Sequence, residues 1–264
     1  MSIILCPRCH QEHELDLCNI HTPTIRCPKC NQEYDFGETT TGYLAEQGSP
    51  FHEYILGLCY YKGHGVNECC TLAFSWFQRA AEHGLVEAQY RVGVCYNYGI
   101  GVGVDKKEAV KWLQKAAARG LAEAQYVLGK CIYRGDGIEE NRENGLQWIR
   151  KAAEQGYMMA LFSLADFLMN EGFGYEGEKE AVKWYRKAAK QGDVCAQYLL
   201  GWCYEYGHGV RTNSKLAMKW YRMAAEQGAL DAQDSLRHLE ISRRTRRKTK
   251  TITENQNEQT EFDI

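Results

Sequence analysis

The chain has 264 residues, 44% of them hydrophobic, and a formal net charge of −2. That is enough apolar material for a buried core and more length than one compact domain needs, and the near-zero charge excludes a surface that receives polyanions throughout. Met1 to Cys9 lacks the basic start, the long apolar stretch and the small-residue cleavage site of a secretion signal, and no run approaches the roughly 18 apolar residues of a membrane span, so a soluble cytoplasmic protein without membrane association is expected.

Taken in chain order, the first feature is a pair of knuckles, Cys6-Pro7-Arg8-Cys9 and Cys27-Pro28-Lys29-Cys30, with 17 residues between them. Each knuckle brings two thiolates to one ion, and four thiolates complete the closed tetrahedral shell of structural Zn²⁺, with Arg8 and Lys29 offsetting the excess negative charge. The spacing is that of a zinc ribbon, so residues 1–36 are read as a zinc-ribbon-like module with Cys6, Cys9, Cys27 and Cys30 as metal ligands. So short a segment cannot build an adequate core alone, and metal binding should be what folds it. Iron, disulfides and spare thiols are the alternatives; rubredoxin-type iron sites place glycine after the second cysteine, where this chain has His10 and Asn31. Cys18, His10, His13 and His21 are secondary ligands at best. A closed shell leaves no position for substrate.

Residues 37–50 read as a linker and an incomplete first unit, with Leu44 to Gly48 as the tail of a second helix and Pro50 opening the next. From there Trp76, Trp112, Trp148, Trp184 and Trp220 recur every 36 residues, with Ala80-Ala81, Ala116-Ala117, Ala152-Ala153, Ala188-Ala189 and Ala224-Ala225, and then Gly84, Gly120, Gly156, Gly192 and Gly228. Gly57, Gly93, Gly129 and Gly201 repeat as well, with Ala165 standing in once. The spacing predicts two helices per unit, about Ala88 to Tyr98 and Lys106 to Arg119 in the clearest copy. One such pair cannot bury its own apolar face, so neighbours must stack. The units run 51–86, 87–122, 123–158, 159–194 and 195–230; in the fourth, the glycine loop shifts to Gly172-Phe173-Gly174 and Glu176 to Glu180 restore the register. Asp231 to Arg244 begins one more first helix, but Arg237 holds the packing-glycine position, which makes 231–248 a cap.

The pattern A-Q-Y-x-L-G-x-C-Y, G-x-G-V, A-x-x-W-x-x-K-A-A-E-Q-G, clearest in Ala124 to Gly156 and Ala196 to Gly228, resembles the Sel-1-like repeat, a relative of the tetratricopeptide repeat. The resemblance covers 51–230 and implies an all-α, right-handed superhelical solenoid that binds a protein. Some secreted relatives pair cysteines across the helix turn; this chain has Ala81 with Ala88 and Ala117 with Ala124 there, which favours an intracellular setting. Cys59, Cys95, Cys131 and Cys203 share one position and read as small core residues too far apart for disulfides. Gly99-x-Gly101-x-Gly103 looks like a phosphate loop, but no strand precedes it and it recurs in each unit, so it reads as a turn, as do His64 and His208.

Comparing the copies also shows where packing does not constrain the chain. Three first-helix positions vary freely: Ile55, Arg91, Val127, Ser163, Leu199; Leu58, Val94, Lys130, Asp166, Trp202; and Lys62, Tyr98, Arg134, Asn170, Tyr206. Three and four residues apart, they form one stripe, which in tetratricopeptide-like folds lines the inner curve. Arg91, Lys130, Arg134, Tyr98, Trp202 and Tyr206 are the partner-binding candidates, with Trp202 and Tyr206 as apolar anchors and Lys130 with Arg134 for a carboxylate. Arg243, Arg244, Arg246, Arg247, Lys248 and Lys250 form a basic cluster before an acidic, polar segment with Glu254, Glu258, Glu261 and Asp263, expected to be disordered over 249–264. A non-enzymatic scaffold for a protein or peptide, with no small-molecule substrate, is the reading; a nucleic-acid-associated protein using the module and the basic cluster, or a bacterial effector or immunity protein, are the alternatives.

Overall fold

The computed structural model describes residues 2–5, 12–15, 24–26, 33–35, 45–170 and 173–245. Strand β1 (Ser2–Leu5) pairs antiparallel with β2 (Glu12–Leu15), and β3 (Thr24–Arg26) with β4 (Glu33–Asp35). The terminal pairings, Leu5 with Glu12 and Arg26 with Glu33, leave 6–11 and 27–32 as the two connections. All four candidate metal cysteines and His10 fall in these connections, outside the described residues; Cys18 and His21, between β2 and β3, lie outside them as well.

Helices make up the rest: α1 (Pro50–Lys62), α2 (Cys70–Glu82), α3 (Val86–Tyr98), α4 (Lys106–Ala118), α5 (Ala122–Arg134), α6 (Arg142–Glu154), α7 (Met158–Asn170), α8 (Gly174–Lys190), α9 (Val194–Tyr206), α10 (Ser214–Glu226) and α11 (230–245). The first helices of successive hairpins start at 50, 86, 122, 158 and 194, so the 36-residue period of the sequence is the period of the backbone. The all-α repeat fold expected from the tryptophan register is therefore what the chain adopts. No helix among the described residues is long and apolar enough to cross a membrane.

Local chemistry explains where these helices stop and start. The second helices end at glycines with φ of 85–97°, Gly84, Gly120, Gly156, Gly192 and Gly228, whose N–H groups reach the alanine carbonyls three residues back. A Cβ at Gly84, Gly120, Gly192 or Gly228 would meet nothing within 4 Å, so what these positions need is the left-handed backbone and not the space. Three second helices start at side-chain caps: Asp105 Oδ1 accepts from the Glu108 N–H at 3.0 Å, Asn141 Oδ1 from Asn144 at 2.9 Å, and Asn213 Oδ1 from Lys215 and Leu216 at 3.1 Å. The same residues' own N–H groups bond back to Tyr96, Ile132 and Tyr204, which closes each turn.

The fourth hairpin departs from this pattern. Where the others carry Cys69, Asp105, Asn141 or Asn213, it has Gly177, which offers no side chain to cap a helix. Its second helix runs back to Gly174 and is 17 residues long against 13 elsewhere. The shifted glycine loop expected at 172–174 is thus helical from Gly174 onward, with Gly172 outside the described residues.

Within a hairpin the packing glycine sets the helix separation. A Cβ on Gly57 would lie 2.6 Å from Phe77, one on Gly93 2.7 Å from Leu113, and one on Gly201 2.7 Å from Tyr221. The knob is in each case the residue after the tryptophan, and Phe77, Leu113, Ile149, Tyr185 and Tyr221 are all at most 2% exposed. The tryptophans sit higher, buried or half-buried, and in three copies a cation three residues on covers the indole: Arg79 on Trp76 at 4.4 Å, Lys115 on Trp112 at 3.8 Å and Lys187 on Trp184 at 4.2 Å.

Between hairpins, the glutamine of A-Q-Y is the link. Gln89, Gln125, Gln197 and Gln233 donate Nε2 to the Ala81, Ala117, Ala189 and Ala225 carbonyls at 3.2–3.4 Å, adding a second donor to the carbonyls that already accept the N–H of the terminating glycine. In the first unit the position is Glu53, which is 0% exposed and cannot donate. Arg79 takes over: its Nε lies 3.2 Å from Glu53 Oε1 and its Nη2 donates to the Ala45 carbonyl at 3.5 Å, while His83 Nδ1 lies 2.7 Å from Glu53 Oε2. Ala45 is itself fully buried, and Gly48, at φ 80°, bonds back to it as Gly84 does to Ala81, so residues 45–48 follow the pattern of a second-helix tail.

The chain divides into two compact units, Met1–Trp148 and Ile149–Ile264. In the first, Tyr54, Ile55, Leu58, Phe77, Val92 and Cys95 form one cluster and Val110, Leu113, Leu128 and Ile132 a second. In the second unit Tyr221, Ala217, Ala224 and Ala232 gather Tyr198, Trp202 and Leu236 around them. Arg237 on α11, like Leu230 and Ile241, is exposed.

Candidate functional site

The variable stripe resolves into rows of different depth. Its last row, Lys62, Tyr98, Arg134, Asn170 and Tyr206, is exposed in every copy, with Tyr98 62% and Tyr206 61% exposed. Four of them stand immediately before the left-handed glycine that ends the helix, Gly63, Gly99, Gly135 or Gly207. The two other rows are half-buried at Arg91, Val94, Val127, Lys130, Ser163, Asp166, Leu199 and Trp202. Ile55 and Leu58 depart from the expected open stripe: they are 3% and 8% exposed, because in the first hairpin both apolar side chains join the core cluster around Phe77.

In the first unit the candidate site is basic and phenolic. Arg91 is half-buried; it hydrogen-bonds the Tyr54 phenol, has Tyr61 and Tyr90 close by, and lies 6.0 Å from the Tyr90 ring centroid. Burial pushes the Tyr90 phenol up, and the Arg91 charge opposes that. Lys130 lies 5.3 Å over the Tyr126 ring, and Lys106 donates to Asn97 Oδ1 at 2.9 Å while sitting 5.8 Å from the Tyr98 ring. Lys130 and Arg134 are one turn apart on α5, as expected. Tyr98 is a candidate of the sequence; Tyr54, Tyr61, Tyr90 and Tyr126 are not, although the repeated Tyr of A-Q-Y (Tyr54, Tyr90, Tyr126, Tyr198) is the signal for three of those four.

In the second unit Trp202 and Tyr206 are neighbours, with ring centroids 5.9 Å apart. Trp202 is a less open anchor than its exposed-stripe position suggested. His208 stacks on it at 4.2 Å and 11°, and is held in turn by Glu178, whose Oε1 lies 3.2 Å from His208 Nδ1 and whose Oε2 accepts the Gly209 N–H at 2.8 Å. His208 is thus part of a turn, as expected, but the turn is clamped to α8 and α9 by side-chain contacts.

The remaining candidates carry no reaction chemistry on this geometry. At the glycine loop, a Cβ on Gly101 would run into the Cys70 carbonyl, so the space a phosphate would need is filled by the start of α2. Cys59, Cys95, Cys131 and Cys203 are buried, and burial pushes the Cys95 thiol up to about 11 and the Cys203 thiol up to about 12. Their carbonyls receive the N–H of the following glycine, Gly99 and Gly207 among them. Cys69 differs: it is partly open at the start of α2, and the Thr71 hydroxyl, 3.2 Å from its Sγ, together with the Leu72 backbone N–H, pulls the thiol below its ordinary range. Among the described residues no group of three or more His, Cys, Asp or Glu could hold a metal ion. Arg243 and Arg244 are exposed on α11; Arg246, Arg247, Lys248 and Lys250, and the segment after them, lie outside the described residues.

Comparison with known proteins gives the geometry a context. The family model for the Sel1 repeat matches residues 53–85, 86–121, 122–157, 159–193 and 196–228. Among solved structures, the chain is similar to a protective antigen present in uropathogenic Escherichia coli strains that displays an SLR fold, with 37% identity over 74% of this chain and a TM-score of 0.70. This chain spans 42% of that protein's length. It is also similar to a Sel1 repeat protein from Oxalobacter formigenes, with 33% identity, a TM-score of 0.63, and coverage of 72% of this chain and 76% of that one. No curated protein matches the chain.

Proposed function

Since the chain belongs to the Sel1 repeat family, we propose that it is a non-enzymatic scaffold that holds a protein or peptide partner along its first helices. The observation that carries this reading is the last row of the stripe. Five positions at one place in the repeat are exposed in every copy, and they are filled by Lys62, Tyr98, Arg134, Asn170 and Tyr206, whereas the packing positions around them stay apolar or aromatic in nearly all copies. A surface that varies from copy to copy while the packing positions hold suits recognition of a partner. Tyrosine and arginine, which dominate interface energetics, supply three of the five. The test places a photo-crosslinking amino acid at Tyr98 and at Tyr206, with the exposed Lys183 on α8 as control, in the native cell. Discrete adducts at 98 and 206 but not at 183 support the scaffold; equal labelling at 183 counts against it.

The amino-terminal segment is proposed to be a structural zinc module with Cys6, Cys9, Cys27 and Cys30 as ligands. Supporting it, each C-P-x-C begins directly after the first strand of an antiparallel pair, at the same offset from Leu5 as from Arg26, so both pairs present their cysteines equivalently in sequence. Zinc held there would fold the segment and supply no reactive position. Elemental analysis of protein purified without chelator should find about one zinc per chain. Stripping it should abolish NMR dispersion from 1–36 and leave the helical circular dichroism intact; full dispersion without metal rejects the module.

A further inference from the structure

Arg91 is an arginine where every other copy has an uncharged residue: Ile55, Val127, Ser163 or Leu199. Stacking therefore does not require a charge at this position. The side chain is half-buried, its Nε is shielded from solvent with no hydrogen-bond partner, and its polar neighbours are the phenols of Tyr54, Tyr61 and Tyr90. Among the described residues no carboxylate pairs with it. Glu53 on α1 is taken by Arg79 and His83, Glu123 on α5 faces Tyr90, and Glu87, one turn back on α3, forms no ion pair with Arg91. A guanidinium withdrawn from water without a counter-ion is costly, and buried charges are ordinarily paired.

Resting on the scaffold reading above, we propose that Arg91 receives the carboxylate of an acidic side chain from a peptide bound along α1, α3 and α5. The planar fork of arginine matches a carboxylate in a bidentate pair. Tyr54, Tyr61 and Tyr90 form neutral walls that exclude water without competing for the charge. Charge complementarity selects the occupant: the stripe positions of α1, α3 and α5 carry Lys62, Arg91, Lys130 and Arg134 and no acid. The occupant is an acidic peptide, and the Arg91 pair fixes its register while Lys130 and Arg134 attract it from solution.

Selection of random dodecapeptides on the intact chain, followed by anisotropy with labelled copies of the enriched sequences, tests this. Enriched peptides carry Asp or Glu at one fixed position, and changing that residue to its amide weakens binding about 10- to 100-fold, the range for a shielded hydrogen bond to a charged group. Arg91→Met gives the same loss, and combining the two changes adds little more. Free Arg91→Met melts at or above the wild-type temperature, because it removes an unpaired charge. Peptides indifferent to Arg91→Met and to the amide change, yet weakened by Tyr98→Ser and Arg134→Ser, overturn the Arg91 assignment and leave the scaffold standing. Binding insensitive to all of these sinks both. A requirement for phosphorylated peptide overturns the carboxylate, and a lower melting temperature with unchanged affinity makes Arg91 structural. Should Arg91→Met fail to fold, the acid-to-amide comparison on wild-type protein decides.

Discussion

Replacing Gly93 by alanine sets helix propensity against packing, and the surrounding distances determine the balance. Gly93 is mid-helix in α3, so alanine gains about 1 kcal/mol in propensity. Its Cβ, however, would lie 2.7 Å from Leu113 Cγ and 3.3 Å from the Ala109 carbonyl, and Leu113 is 0% exposed, with its branch point and not its tip in the way. Overpacking of this kind costs about 1–3 kcal/mol, leaving Gly93→Ala destabilised by about 1 kcal/mol net. Leu113→Ala removes the obstruction at its own cost of about 2–5 kcal/mol. In that background Gly93→Ala becomes stabilising by about 0.5–1 kcal/mol, the propensity gain less the residual crowding at Ala109. Urea midpoints followed by circular dichroism for wild type, both single variants and the double variant complete the cycle. If Gly93→Ala has the same sign in both backgrounds, the packing role assigned to the glycine row is wrong.

Thiol alkylation followed by peptide mass spectrometry across pH should label Cys69 first and at the lowest pH, and Cys95 and Cys203 only on unfolding; equal rates in the native state contradict the burial argument. Cys69→Asp should gain about 0.5–1 kcal/mol by giving α2 the carboxylate cap that Asp105 gives α4, while Asn213→Ala should lose about 1 kcal/mol, both read by thermal melts. Burial raises the Tyr185 phenol, and burial with a 2.7 Å hydrogen bond to Glu205 raises Tyr221. A phenol raised on folding contributes stability that is complete below its unfolded pKa of about 10 and lost as pH rises above it. Stability should therefore fall above about pH 10, and Tyr185→Phe should move that alkaline limb upward.

The period, the helix pairs and the terminating glycines were legible because each is imposed at one residue type per position: glycine where φ is positive, alanine where helices touch. The partner of the packing glycine was not, since Phe77, Leu113, Ile149, Tyr185 and Tyr221 differ from one another and share only burial. The invariant tryptophan beside them carries the stronger sequence signal but sits closer to the surface, in three copies under a cation. Glu53 could not be interpreted from sequence because its role appears only when Arg79, 26 residues later, supplies the donor that glutamine has elsewhere. Trp202 looked like an open anchor because stacking by His208 depends on how the loop after α9 folds back. The stripe's last row was correctly placed at the surface, and its neighbours Ile55 and Leu58 were not, because variation among copies does not distinguish an open position from one filled by a locally different core.

The glutamine hooks bear on how the chain folds. Each spans eight residues, from Ala81 to Gln89 or from Ala189 to Gln197, so the seam between adjacent hairpins closes over a short stretch of backbone. The entropy of closing so small a loop is low, and the contacts that orient one hairpin on another can form without waiting for distant parts of the chain. Collapse can then begin at whichever seam orders first and spread outward. The amino-terminal seam should nucleate least readily: its Glu53 must recruit an arginine from the far helix of its own hairpin before the joint is made.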